Sequence, residues 1–183
     1  SEPKMNIIFK TSSGKNYTLI LNYGTTIHKM LVEILKKIDI PDSIRDNDTE
    51  IVFIYNAKKI KFGDKTPIED YFHDNSNPIV IINNVKNLYN NPNTLPPFVT
   101  FKTTAGITHK ITYSNNKMQI NEILIKYLIN VKRVDLIEDN NRITFLYVGK
   151  KLSTYDQTPI NQIFNNKSKN EIVVNDPNYL IRS

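Results

Sequence analysis

Residues 51–72 read IVFIYNAKKIKFGDKTPIEDYF, and residues 143–164 read ITFLYVGKKLSTYDQTPINQIF, so nearly the same stretch occurs twice, 92 positions apart. Ten of the 22 aligned residues are identical, and two others exchange isoleucine for leucine. This spacing is too long for a solenoid unit and matches the length of a small domain. The sequence therefore predicts two tandem copies of one fold, residues 5–88 (repeat 1) and residues 97–183 (repeat 2).

The segment between the repeats, residues 89–96, is rich in asparagine and proline and has no apolar periodicity. Proline favours extended, semi-rigid backbone, so we expect a linker that limits the freedom of the two repeats. The chain has no cysteine, which excludes a disulfide framework and favours an intracellular location, cytoplasmic or nuclear. Its apolar runs are also shorter than the ~18 residues that a membrane span requires.

The formal net charge of +6 is shared unevenly. Residues 5–88 hold 11 Lys and Arg against 10 acids, whereas residues 97–183 hold 12 against 7. A basic surplus of this kind can steer acidic partners towards repeat 2. The sequence shows no arginine cluster and no alternation of aromatic and basic residues, so a solubilising surface explains the charge better than nucleic-acid binding. A basic nucleic-acid or lipid-headgroup binder remains the weaker alternative.

Periodicity predicts the same order of elements in each repeat: strand, strand, helix, strand, short helical turn, strand. The helices are indicated by apolar stripes that start at Ile27 and Ile120, and Thr26 is placed to cap the first of them. Thr66 and Glu69 have the spacing of a capping box at the short helical turn. This order predicts an α+β fold in which a mixed sheet packs on one helix.

Several segments resemble the ubiquitin and SUMO superfamily. Residues 5–15 resemble the opening strand and turn of ubiquitin, and residues 145–152 resemble its third strand and the following glycine–lysine turn. The Asp-x-Thr-Pro segments at 64–67 and 156–159 are closer to SUMO. The resemblance implies the β-grasp fold for both repeats, and a tandem ubiquitin-like protein as the identity of the chain.

The resemblance also implies candidate contact residues, which can be checked one by one. Ile54 and Leu146 match the central isoleucine of the hydrophobic patch of ubiquitin, and Lys150 matches a chain-forming lysine. The other two patch positions are polar in both repeats, which argues against faithful mimicry of ubiquitin: Ser12 and Asn83 in repeat 1, Thr104 and Asn175 in repeat 2. The sequence given ends at Ser183 without Gly-Gly, so a two-domain covalent modifier whose diglycine tail lies further on is the alternative function.

Two further features of repeat 2 indicate protein contacts. The β-grasp resemblance implies that its second strand lies at the edge of the sheet, with Lys110 and Thr112 pointing outward. Similarity to SUMO implies aliphatic peptides with acidic flanks as ligands. On its helix, Ile125 and Ile129 lie away from the core stripe. We expect this isoleucine pair to be covered by the linker region, through Leu95 or residues 85–89, or by a partner chain.

Nothing in the pattern predicts catalysis. The three histidines, His28, His73 and His109, lie in different elements without partners at metal-ligand or general-base spacing. We expect His109 to be a partly buried histidine of the edge strand. The sequence thus predicts a non-catalytic protein without metal or cofactor, which recognises other proteins non-covalently, either alone or as part of a larger scaffold.

Overall fold

Two five-stranded mixed sheets, each with one long helix, make up the computed structural model of the chain. The prediction of an α+β fold with a mixed sheet in each repeat is therefore confirmed. Among the described residues, no helix is long and apolar enough to cross a membrane. The structure describes residues 2–40, 49–86, 97–113, 118–138, 142–164 and 170–182.

The described residues of repeat 1 form five strands and two helices. Its first and last strands are parallel neighbours at the centre of the sheet, and the strand order is β2-β1-β5-β3-β4. The elements are β1 (Lys4–Thr11), β2 (Asn16–Asn22), α1 (Ile27–Lys37), β3 (Thr49–Tyr55), β4 (Lys58–Ile60), α2 (Ile68–Tyr71) and β5 (Ile79–Lys86).

Repeat 2 follows the same plan, with strand order β7-β6-β10-β8-β9 and a parallel central pair of β6 and β10. Short 3₁₀ turns at Val134–Leu136 and Ile160–Gln162 complete it. The other elements are β6 (Phe98–Thr103), β7 (Thr108–Thr112), α3 (Ile120–Asn130), β8 (Thr144–Tyr147), β9 (Lys150–Leu152) and β10 (Glu171–Asn175).

The predicted order lacked one strand in each repeat, because β4 and β9 are only three residues long. Each pairs antiparallel with the strand before it across a two-residue turn, Asn56-Ala57 or Val148-Gly149. All four turn residues have positive φ, as the tight turns of hairpins require. Each of these short edge strands opens with a lysine pair, Lys58-Lys59 in β4 and Lys150-Lys151 in β9.

The core of each repeat lies between the helix and one face of the sheet. Phe9 and Phe53 meet edge to face in repeat 1, with ring centroids 6.5 Å apart, and Phe101 stacks on Tyr127 at 4.2 Å in repeat 2. All four rings are at most 1% exposed. The alternation of buried and exposed residues along β1 and β10 leaves the opposite face of each sheet towards solvent.

The helix starts differ in how they are capped. Thr26 caps α1 as predicted, because its side chain accepts a hydrogen bond from the Lys29 N–H at 3.1 Å. The predicted capping box at Thr66 is wrong: Pro67 is the N-cap of α2, and no side chain caps this helix. The Glu69 carboxylate instead accepts the N–H of Gly24, at 2.9 and 2.8 Å, and ties α2 to the turn before α1.

Candidate protein-interaction surfaces

The outer face of the sheet in repeat 1 carries five isoleucines, which we call the isoleucine face. Three of them are strongly exposed, at 63, 42 and 37% for Ile20, Ile79 and Ile81, and two are half-buried. They lie on three central strands and on the edge strand β2. The isoleucine face consists of Ile8, Ile20, Ile54, Ile79 and Ile81.

Strand register makes four of these residues contiguous. Ile8 pairs with Ile79, and Ile81 pairs with Ile54, while Ile79 and Ile81 lie two residues apart on one strand and so point to the same side. Lys10 pairs with Ile81 and places an exposed cation at the border of the face. The face is therefore an aliphatic surface with a basic residue beside it.

The equivalent face of repeat 2 is mostly polar. Thr100 and Glu171 pair with each other where Ile8 and Ile79 pair in repeat 1. Leu146 and Val173 are the remaining aliphatic pair, with Leu146 half-buried and Val173 42% exposed. The two repeats share a fold but present different outer surfaces.

Sequence reasoning identified Ile54 but missed its neighbours. It placed the last-strand position of the patch at Asn83, whereas the register pairs Ile54 with Ile81 and Asn83 with Val52. A signal for the face was nevertheless present, since residues 79–82 are an unbroken apolar run in a sheet that one helix can cover on one side only.

In repeat 2, β7 is an edge strand, as expected, because it lies at one end of the strand order. Lys110 is exposed, and its ammonium lies 4.9 Å from the centre of the Phe98 ring. The half-buried Thr112 accepts a hydrogen bond at its carbonyl oxygen from Lys126 Nζ, at 2.8 Å. One end of this edge thus contacts the helix of its own repeat.

The other predicted contact residues lie apart from the isoleucine face. Lys150 is exposed at the start of β9. Ile125 and Ile129 are only 2% and 9% exposed, and they line a cavity of about 50 Å³ together with residues of repeat 1 such as Ile51 and Phe62. Repeat 1 therefore covers this pair; residues 87–96, including Leu95, lie outside the described residues.

A carboxylate faces the same cavity. Glu50 is half-buried, and its Oε1 is buried without a hydrogen-bond partner among the described residues. Burial is the largest influence on this carboxyl and raises its pKa above the ordinary value. The cavity is otherwise mainly apolar, and its charged border includes the Lys59–Glu122 ion pair, at 3.4 Å between the two repeats.

His28 lies at the centre of the contact between the repeats. It is fully buried, its ring stacks on Tyr155 at a centroid distance of 4.0 Å, and its Nδ1 accepts the N–H of Gly63 at 2.8 Å. Burial lowers the pKa of this imidazole from 6.5 to about 4, and neighbouring Lys29 adds to the effect. The imidazole of His28 is therefore neutral in this contact.

The two remaining histidines lie in different repeats and away from the contact of His28. His109 is half-buried on β7 with its ring 5.9 Å from that of Tyr127, as expected, and His73 is exposed beside Asp74. In the described parts of the chain, no three histidine, aspartate or glutamate side chains are grouped so that they could hold a metal ion. Sequence reasoning missed the role of His28, because its partner Tyr155 lies 127 positions away.

No protein-family model matches the sequence. A comparison with curated proteins gives no match either.

Proposed function

We propose that this chain is a tandem β-grasp protein of the ubiquitin-like type that acts by non-covalent recognition of other proteins, without catalysis. An intracellular location, cytoplasmic or nuclear, is part of the proposal. The β-grasp assignment is supported by the strand order shared by the two sheets, by their parallel central strands and by one long helix in each repeat. The motif resemblance at residues 5–15 and 145–152 agrees with it.

The isoleucine face is the observation that carries the functional proposal. Isolated exposed apolar residues are ordinary, but adjacent isoleucines on neighbouring strands form a patch, and such patches on soluble proteins mark contact sites. Burying one isoleucine side chain contributes about 1.5–3 kcal/mol, so covering even two of them would support a specific contact. Lys10 at the border favours a partner with aliphatic side chains and an acidic flank.

A helical peptide tests this proposal, because a helix presents side chains while its backbone groups are already bonded. We expect an amphipathic peptide with a leucine stripe and flanking glutamates to shift the amide signals of Ile8, Ile54, Ile79 and Ile81 on titration. Ile81→Lys should weaken the affinity about tenfold or more, since 1.4 kcal/mol corresponds to a factor of ten.

Val173→Lys is the matched control, because Val173 has the equivalent place in repeat 2 and a similar exposure of 42%. It should leave the affinity unchanged. The proposal is contradicted if the peptide shifts no signal of the isoleucine face, or if both variants weaken binding equally.

A further inference from the structure

The contact between the repeats joins positions that correspond in the two sequences. The second residue of α1, His28, donates its backbone N–H to the carbonyl oxygen of Asp64 at 2.9 Å, and the second residue of α3, Asn121, does the same with Asp156 at 3.0 Å. His28 and Asn121 are therefore structurally equivalent, and so are the two aspartates.

A pseudo-twofold axis passes through this contact. Gly63 directly precedes Asp64, and Tyr155 directly precedes Asp156, so these two residues are equivalent as well. The Tyr155 carbonyl oxygen lies 2.7 Å from the place where a Cβ on Gly63 would stand. In a twofold arrangement a residue meets its own equivalent only near the axis, which places the axis between Gly63 and Tyr155.

A twofold contact must also show every pair in both directions. His28 of repeat 1 stacks on Tyr155 of repeat 2 at 4.0 Å. In the reverse direction, Asn121 of repeat 2 meets Gly63 of repeat 1. The Asn121 Nδ2 lies 3.1 Å from the position that a Cβ on Gly63 would take, and it donates a hydrogen bond to the carbonyl oxygen of Phe62 at 2.8 Å. The reciprocal pair is present.

A second reciprocal pair supports the same axis. Lys65 Nζ lies 5.3 Å from the centre of the Tyr155 ring. Gln157 is the equivalent of Lys65. Its Nε2 lies 3.3 Å from the position that a Cβ on Gly63 would take, and it donates a hydrogen bond to the Phe62 carbonyl oxygen at 3.1 Å. The contact is thus close to the isologous interface of a symmetric dimer.

The side chains on this interface nevertheless fit only unlike repeats. In a pair of two repeats 1, His28 would face Gly63 and lose its stacking partner. In a pair of two repeats 2, Asn121 would face Tyr155 in place of His28, so the tyrosine ring would lose its stacking partner, and a second tyrosine would take the place of Gly63 at the axis.

Charge acts in the same direction for a pair of two repeats 1. Lys29 and Glu122 occupy equivalent positions with opposite signs, and each pairs across the interface, Lys29 with Glu138 at 2.7 Å and Glu122 with Lys59 at 3.4 Å. Two repeats 1 would bring Lys29 against Lys59, whereas two repeats 2 would keep a lysine opposite Glu122, because Lys151 is the equivalent of Lys59. Such repulsion between two repeats 1 is how interfaces exclude wrong partners.

We propose that the two repeats carry a complementary pair of binding faces that hold together without the covalent link, so that repeat 1 of one chain can bind repeat 2 of a second copy. Each face accepts the unlike repeat and rejects its own kind.

Cleavage of the full chain tests this. A protease site is placed within residues 89–96, the purified chain is cut, and the mass is measured by size exclusion with light scattering. We expect one species near the 21.2 kDa of the intact chain, containing both fragments in equal amounts. Fragments that separate, that dimerise with themselves, or that unfold after the cut would overturn the proposal.

Gly63→Ala in the same chain probes the axis directly, because a Cβ at this position meets the Tyr155 carbonyl oxygen. Gly106→Ala is the matched control, since φ is 86° at Gly63 and 87° at Gly106, but the Cβ at Gly106 meets nothing within 4 Å. We expect the cut Gly63→Ala fragments to separate at concentrations where the cut Gly106→Ala fragments stay together. Equal behaviour of the two variants would overturn the assignment of the axis.

Discussion

At the scale of single residues, the β8–β9 turn contains an avoidable strain. Val148 has φ of 48° and is 88% exposed, although left-handed backbone is costly for a β-branched residue. The equivalent turn residue of repeat 1 is Asn56, with φ of 49°. Asparagine tolerates this conformation because its short polar side chain can bond locally.

Val148→Asn should therefore stabilise the protein by about 1 kcal/mol. The reverse change, Asn56→Val, is the matched control and should destabilise it by a similar amount. The free energy of unfolding, measured with urea, checks both. If both substitutions shift the free energy in the same direction, strain at these turns is not the cause.

His28 supplies a pH dependence at the same scale. Its pKa is lowered from 6.5 to about 4 in the folded protein. As the pH falls, the unfolded chain therefore binds a proton at His28 at a higher pH than the folded protein does. Its contribution to stability is fully present above pH 6.5 and is lost as the pH falls from there to about 4. The charged groups that act on it are Glu138, which favours the cation, and Lys29 and Lys65, which oppose it.

We expect the free energy of unfolding of the wild type to fall by about 3 kcal/mol more than that of His28→Phe between pH 7 and pH 4. Comparing the two proteins removes the contribution of carboxylates, which titrate in both. Urea unfolding at several pH values makes the measurement. Parallel pH profiles would show that His28 is accessible to protons in the folded state.

At the scale of elements, the sequence was most informative where one local pattern decides the structure. The apolar stripe and Thr26 predicted α1 and its cap correctly, because both depend on neighbours in sequence. Thr66 and Glu69 also had a valid local pattern, yet Glu69 bonds to Gly24, 45 positions away. Periodicity cannot show such a contact.

The candidate surfaces show the same difference between features that a local pattern predicts and features that depend on residues far apart in sequence. Ile54 and the edge position of Lys110 were predicted from the resemblance to the ubiquitin and SUMO superfamily. The isoleucine face depends on the register between β1, β5 and β3, and the cover over Ile125 and Ile129 depends on how the repeats pack. Neither is encoded in a spacing along the chain.

The edge strand β7 carries a prediction at this scale. We expect an extended peptide of Val and Ile with acidic flanks to pair along Thr108–Thr112, because an edge strand can accept an added strand. Lys110→Glu should weaken this binding severalfold, and added salt should weaken binding to the wild type more than to the variant. NMR titration locates the peptide; shifts confined to repeat 1 would contradict the assignment.

At the scale of the whole molecule, one fold occurs twice, and the two copies differ in the surfaces that they expose. The faces around Gly63 and Tyr155 are used between the repeats. The isoleucine face of repeat 1 remains exposed, while the equivalent face of repeat 2 has become polar. Duplication thus separates contact within the chain from the proposed contact with other proteins.

Each repeat is expected to be a complete folding unit. The ¹⁵N–¹H spectra of residues 5–88 and of residues 97–183, expressed separately, test this. Each repeat has its own sheet, helix and buried aromatic pair, so we predict dispersed amide signals from both. A collapsed spectrum from either repeat, with a dispersed spectrum from the intact chain under the same conditions, would contradict the account.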